Sequence, residues 1–285
     1  METLRLIFPE WQGGVNPNYV FGANILSYLA PFSKNSETVK IPVNMDFEIP
    51  LEKENGYYAG EVLVQQQIKA KEILREKKPK KVITFGGDCS VSQAPFDYLH
   101  ELYPDDLGII WIDAHPDISS PQDTEHEHAM VLGNLLGDGA AELSGIVKFP
   151  FDFENIIYVG LIADGMLPNE MHYIKQHKMA YITPKELTKN SDRLLTWLNK
   201  NKFTKVAIHF DVDVLSSNDF RSVLYNEPGS GPVDYATGTM TVADVLRVIK
   251  DIESTKEVVG LTIAEYIPWD LIKIGRAMQK IKIFE

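Results

Sequence analysis

The stretch Leu107-Gly108-Ile109-Ile110-Trp111-Ile112-Asp113-Ala114-His115-Pro116-Asp117 joins an apolar run of strand length to two carboxylates and an imidazole spaced i, i+2 and i+4. A continuous apolar run of this kind reads as a strand buried on both faces. In extended backbone, alternate residues point the same way, so Asp113, His115 and Asp117 are expected to converge as the strand emerges. Open α/β sheets place ligands at that edge. One Asp after a strand is equally a turn former or a helix cap, so the reading depends on whether the pattern recurs.

It recurs three times. Lys205-Val206-Ala207-Ile208-His209-Phe210 runs into Asp211-Val212-Asp213, and Lys81-Val82-Ile83-Thr84-Phe85 into Gly86-Gly87-Asp88-Cys89-Ser90. The run from Val258 to Ile263 leads to Ala264-Glu265-Tyr266. Four strands thus discharge acidic or thiol residues at one edge. So many carboxylates in one pocket repel one another and take up protons unless cations balance them. Oxygen-rich ligation with an imidazole or two suits Mn²⁺, Mg²⁺ or similar ions. A shared carboxylate set suits two of them about 3.5–4 Å apart, able to activate water.

The rest of the chain supplies a scaffold. Strands are expected at 4–8, 39–43, 156–161 and 179–182, and helices at 20–29, 61–77, 184–199 and 241–252, with a helix after Ser90 and a long loop over 216–239. Eight strands alternating with helices predict a three-layer α/β/α fold with a mainly parallel eight-stranded sheet. With 285 residues and no repeat or linker, one domain over residues 1–285 is expected. A formal net charge of −12 argues against nucleic acid or an anionic membrane as partner and suits a cationic ligand. The single cysteine excludes an intrachain disulfide and fits a reducing cytoplasm. No signal peptide is read from Met1-Glu2-Thr3-Leu4-Arg5, and no apolar run approaches membrane-spanning length. The glycine-marked loop Glu10-Trp11-Gln12-Gly13-Gly14 either reaches the ligand edge or is a turn with a packed Trp. Lys77-Lys78-Pro79-Lys80-Lys81 reads as a solvated helix end whose cations complement the helix dipole.

GGDCS (86–90), DAHPD (113–117) and DVD (211–213), in this order, resemble the metal signatures of the arginase/agmatinase/formiminoglutamase family, the ureohydrolases, whose patterns are GGDHS, DAHxD and SxDxDxxDP followed by a later Glu. The likeness covers roughly residues 83–270. It implies an arginase-like fold and two divalent ions, Mn²⁺ foremost. The implied ligands are Cys89, Asp113, His115, Asp117, Asp211 and Asp213, with Asp113 and Asp211 bridging. It further implies a hydrolase cleaving a linear C–N bond of a small cationic guanidino or amidino compound, in a cytoplasmic trimer or hexamer. His128, in His128-Ala129-Met130, matches the family's proton-shuttling His, with His126 a nearby alternative. Glu265 matches the carboxylate that holds the substrate cation through paired N–H donors, and Asp117 would also steady the reacting centre.

The chain departs from the family at defined places. Cys89 stands where the family has His. As a thiolate it would favour Zn²⁺, and as a buried unliganded thiol it would leave a single ion. His209 stands where the family has Ser, on the strand face it shares with Asp211 and Asp213; it is either a compensating group or a packed strand histidine. Ser216 replaces the third Asp of the last motif. The segments around His128 and 160–164 lack the family residues that read the far end of arginine, so arginine itself is not implied. The alternative to an enzyme is a non-catalytic or single-metal member acting as a ligand-binding or scaffold protein. A phosphatase-like site is opposed by the lack of a basic cluster beside the motifs.

Overall fold

The computed structural model describes residues 2–233 and 235–280. Its centre is a sheet of β1 (Thr3–Phe8), β2 (Ser36–Lys40), β3 (Lys81–Gly86), β4 (Leu107–Ile112), β5 (Ile156–Val159), β6 (Ala180–Ile182), β7 (Lys205–Asp211) and β8 (Glu257–Ala264). Their order in space is β2-β1-β3-β8-β7-β4-β5-β6, and every pairing is parallel. The four strands whose ends carry the acidic or thiol motifs are therefore consecutive at the middle of the sheet. Register brings their exits level, since Ile112 pairs with Phe210, Ala264 with Asp211 and Ile263 with Phe85.

The main helices are α1 (Tyr19–Leu29), α2 (Gly60–Lys77), α3 (Gln93–Leu102), α4 (Val131–Leu136), α5 (Pro168–Gln176), α6 (Asp192–Lys200), α7 (Val242–Glu253) and α8 (Trp269–Met278). Strand alternation divides the core. Leu107, Ile109 and Trp111 of β4 pack with α2 to α5, whereas Ile110 and Ile112 pack with α6 and α7 on the opposite face. Helices α1 and α8 join through Tyr19, Val20, Trp269 and Ile272. The result is three layers, as expected.

Several boundaries differ from the sequence reading for local reasons. The helix expected over 184–199 is broken into Pro184–Leu187 and α6. Arg247 reaches across from α7, donating from Nη1 to Ser191 Oγ (2.7 Å) and from Nη2 to the Leu187 carbonyl, and so occupies the break. The second strand lies at 36–40 rather than 39–43, its alternating exposure marking an edge. The expected loop over 216–239 contains a helical turn at Leu224–Asn226 and is tied back by the Leu215–Met240 bridge; its Asp234 lies outside the described residues. Thr241 caps α7, accepting from the Asp244 amide (3.1 Å) while Asp244 Oδ2 accepts from the Thr241 amide (3.2 Å). The lysine run is a solvated helix end with ion pairs from Lys77 to Glu37 (2.6 Å) and Lys81 to Glu257 (2.9 Å).

Candidate metal centre

Close backbone approach assembles the site. At Gly87, after β3, a Cβ would sit 1.6 Å from the Glu10 carbonyl, so the first loop and the GGDCS turn meet only because that residue is glycine. The Gly14 amide donates to Asp88 Oδ2 (2.7 Å), so the glycine loop reaches the ligand edge while Trp11 is packed beneath it. Asp88 also accepts from the Ser90 amide (3.1 Å), orienting the turn that presents Cys89.

Two groups of ligand-type atoms gather at the strand ends, each with its atoms within 4.8 Å of one another. One comprises Cys89, Asp113, His209 and Asp211, all buried; the other comprises Asp113, His115 and Asp213. Asp113 belongs to both. It is held from behind by Trp111 Nε1–H, which donates to Oδ2 (3.0 Å), and by the His115 amide on Oδ1 (2.7 Å). Asp211 Oδ2 accepts from Cys89 Sγ (2.9 Å), and its Oδ1 accepts from the Asp213 amide (2.6 Å).

In the second group, His115 Nε2 bonds the Ala236 carbonyl (3.0 Å), which can only accept, so Nε2 carries the proton. Nδ1 then faces Asp213 Oδ2 at 3.0 Å and Asp113 Oδ1 at 3.6 Å. In the first group, His209 Nδ1 pairs with Ser92 Oγ (2.7 Å) and the ring stacks on Trp111 at 3.7 Å. Its Nε2 is buried, 3.7 Å from Asp113 Oδ2, without a hydrogen-bond partner among the described residues.

Charge is concentrated here. Burial, with Asp213's charge added, pushes Asp113 up to about 7. Burial and neighbouring acids likewise push Asp211 and Asp117 well above the usual carboxylate range. Burial works against His115 carrying charge, but Asp213 and Asp113 outweigh it and raise its pKa well above the ordinary value. Burial, only partly offset by Asp213, lowers His209 to about 3, leaving its ring neutral. Such a set is relieved by divalent cations, which neutralise the acids and take the imidazole lone pairs. Asp117 Oδ2 and Asp213 Oδ1 are likewise buried and unpartnered among the described residues, so the donors present fit such ions.

Cys89, His115, Asp211 and Asp213 of the two groups line a cavity of about 500 Å³, with Asp113 and His209 set back from it, and its wall includes His126, His128, Ile162, Met166, Leu167, Tyr235 and Glu265. His128 Nδ1 lies 2.9 Å from Glu265 Oε1. Burial opposes charging of His128, yet Glu265 outweighs it and carries the pKa up to about 9. Glu265 has left-handed backbone (φ +64°) and its amide donates to the Gly87 carbonyl (2.7 Å). Its other carboxylate oxygen takes the Tyr19 hydroxyl. Burial and Glu265 raise the Tyr19 pKa well above its ordinary value, so this phenol remains a donor.

The sequence profile described as Arginase family matches residues 25–272. The chain belongs to the arginase family. It is 27% identical over 209 residues to an arginase of Plasmodium berghei, covering 67% of this chain and 54%, about half, of that protein. It is 26% identical over 241 residues to arginase-1 of Homo sapiens, covering 80% of this chain and 69% of that one. Among solved structures, an Entamoeba histolytica arginase in complex with L-ornithine superposes with a TM-score of 0.80 at 18% identity, over 94% of this chain and 92% of that one.

Within this arginase-family chain, every residue singled out from sequence lines the cavity or one of the two groups. Asp117 lines the cavity but stands outside both groups. The strand ends at Ile112, and at Asp117 the backbone turns left-handed (φ +49°), so the extended spacing that would align it with Asp113 and His115 does not persist. His209 joins the buried group instead, and His126 shares the cavity wall with His128, their rings 6.0 Å apart. Tyr19, Ser92 and Glu127 were not found from sequence. Glu127 accepts from Ser90 Oγ (2.5 Å) and from Asn134 Nδ2 (2.7 Å), bracing the segment that carries His128.

Proposed function

We propose that this chain hydrolyses a linear C–N bond of a guanidino or amidino compound, with Mn²⁺ as the leading ion at the oxygen-rich group, Asp113, His115 and Asp213. The observation that carries the reading is the pairing of two ligand groups sharing Asp113 with a His128–Glu265 pair on the wall of the same cavity. Divalent ions held there would supply a water of lowered pKa and polarise the carbon under attack. Asp117 and Asp211 surround the reacting centre with negative charge that favours a cation. Glu265, fixed by Tyr19, is set to accept paired N–H donors from a planar amidinium. His128, protonated at neutral pH, is the proton donor for the departing amine, with Glu265 holding its ring.

The cavity also bears on the substrate's far end. Among its described lining residues there is no Lys or Arg, while Asp117, Glu170, Asp211, Asp213 and Glu265 are acidic and Ile162, Met166 and Leu167 are apolar. A carboxylate at the far end would meet no lysine or arginine, and the acids would repel it. The substrate proposed is a guanidino or amidino compound with an apolar or cationic tail. Family resemblance adds a cytoplasmic homo-oligomer. Phe21, Tyr28 and Leu29 of α1, with Leu271, Ile274 and Met278 of α8, are exposed and support an association surface. No helix among the described residues is long and apolar enough to cross a membrane.

The test is release of urea or the corresponding product from a panel of guanidines differing only in the tail, using metal-loaded protein. Turnover confined to tails without a carboxylate is expected; no turnover of any member by a fully loaded chain would end the reading. A second reading, a single-ion ligand-binding protein, is favoured by the Cys89–Asp211 hydrogen bond, which partners the thiol without any ion. One ion per chain with ligand binding and no hydrolysis would select it.

A further inference from the structure

The buried group differs in kind from its neighbour. It offers a thiol, an imidazole and two carboxylates, where the other offers one imidazole and two carboxylates. We propose that Cys89, His209, Asp113 and Asp211 form a four-ligand site selective for Zn²⁺, making this a mixed centre with a harder ion at Asp113, His115 and Asp213. The inference rests on the reading of this cavity as a metal centre.

Three observations carry it. First, the ligand atoms of all four residues lie within 4.8 Å of one another, with Cys89 Sγ 2.9 Å from Asp211 Oδ2 and His209 Nε2 3.7 Å from Asp113 Oδ2. Four-coordinate zinc with sulfur, nitrogen and oxygen ligands at about 2.0–2.3 Å needs tetrahedral ligand separations of roughly 3.3–3.8 Å. The 2.9 and 3.7 Å separations, within the 4.8 Å spread of all four atoms, bracket that spacing.

Second, His209 is fully buried and its Nε2 is unpartnered among the described residues. A packed strand histidine would be expected to satisfy both ring nitrogens, because a buried polar atom left alone costs about 1–3 kcal/mol. Here the ring cannot turn away. It lies 3.7 Å from Trp111 at an interplanar angle of 9°, and its far nitrogen is fixed by Ser92 Oγ at 2.7 Å. A ligand imidazole held through its other nitrogen is the arrangement that metal sites use to fix ring orientation.

Third, Trp111 does double duty. The indole that stacks on His209 donates to Asp113 Oδ2, so one residue orients two of the four ligands. Thiolate with imidazole is soft enough to prefer Zn²⁺ to Mn²⁺ or Mg²⁺. Binding removes the Cys89 proton to solvent, and the ion takes its place against Asp211.

Cobalt substitution of the full-length chain tests this. After stripping and reloading with one equivalent of Co²⁺, the wild type should show a near-ultraviolet thiolate-to-cobalt charge-transfer band, and Zn²⁺ should abolish it at concentrations where Mn²⁺ does not. The band should vanish in Cys89→Ser. In His209→Gln, Zn²⁺ affinity should fall at least roughly tenfold, and in Ser92→Ala it should fall by a smaller factor. Circular dichroism separates loss of the site from loss of the fold, and the wild-type spectrum stands even where a variant fails to fold. Ions bound without a thiolate band, or equal Zn²⁺ affinity in wild type and His209→Gln, would overturn the zinc site while leaving the hydrolase reading intact. No ion bound at all would overturn both.

Discussion

The two ligand groups share Asp113 yet are built on different principles. His115 and Asp213 line the cavity with Asp113 behind them, the His115 side chain being 30% exposed and its Nε2–H donated to the Ala236 carbonyl. Cys89, His209 and Asp211 are buried, Cys89 and Asp211 reaching the cavity lining while His209 stays behind it, held by Trp111 and Ser92. On the proposed reading the more open group would exchange ions and meet substrate, whereas the buried one is set by the packing of His209. On the proposed reading, such a separation would let the Asp113 carboxylate serve two ions of unlike chemistry.

Removing the shared residue is the severest challenge to this picture. Asp113→Ala should lose nearly all bound metal from both groups and all turnover, as measured by metal analysis of the folded variant; two ions retained would dissolve the sharing of Asp113. Next, His115→Ala should empty only the open group, leaving tight binding of one Zn²⁺ and its thiolate signature in place. Loss of both ions together would mean the groups are one site rather than two. Glu265→Gln should leave both ions bound and lower kcat/KM for a guanidine by roughly 10²-fold or more, because it removes the charge facing the substrate cation. Unchanged kinetics would confine Glu265 to a structural role.

The smallest effect is on stability in the metal-stripped protein. His128 is raised to about 9 in the fold against an ordinary 6.5, so its contribution is complete below 6.5 and lost as pH rises through 9. Asp113 and Glu127, both pushed by burial to about 7, bind more protons folded than unfolded below that pH, which gives the same sign. Stability of the stripped chain should therefore fall between pH 6.5 and 9, by on the order of 1–3 kcal/mol in denaturant titrations. Restoring divalent ions should flatten the slope. A stripped chain whose stability rises over that interval would contradict these charge assignments.

The open group was legible in sequence because its members come from two short motifs at strand ends, where period-two spacing alone aligns them. The buried group was half legible. The i, i+2 spacing placed His209 on the face of Asp211, but its role depends on Ser92 and Trp111, and no local pattern announces a serine from the turn after β3 as the partner of a β7 histidine. Tyr19 is more remote still, 246 residues from Glu265 and brought to it only by the docking of α1. Asp117 is the converse case, since spacing aligned it with Asp113 and His115 while the structure leaves it on the cavity wall, outside both groups, on left-handed backbone. The sheet itself was readable strand by strand. The break between Leu187 and α6 was not, because Arg247 comes from a helix far along the chain.

Asp117 and Glu265 both hold carboxylates on left-handed backbone, a conformation that costs a residue other than glycine about 1 kcal/mol or more. Asparagine or glycine would sit there more comfortably. Selection for heat resistance alone would drift toward those residues at 117 and 265 and, if the proposed hydrolase reading holds, return a tougher, inert protein. On the proposed reading, the acids mark where this chain would have traded resilience for reactivity.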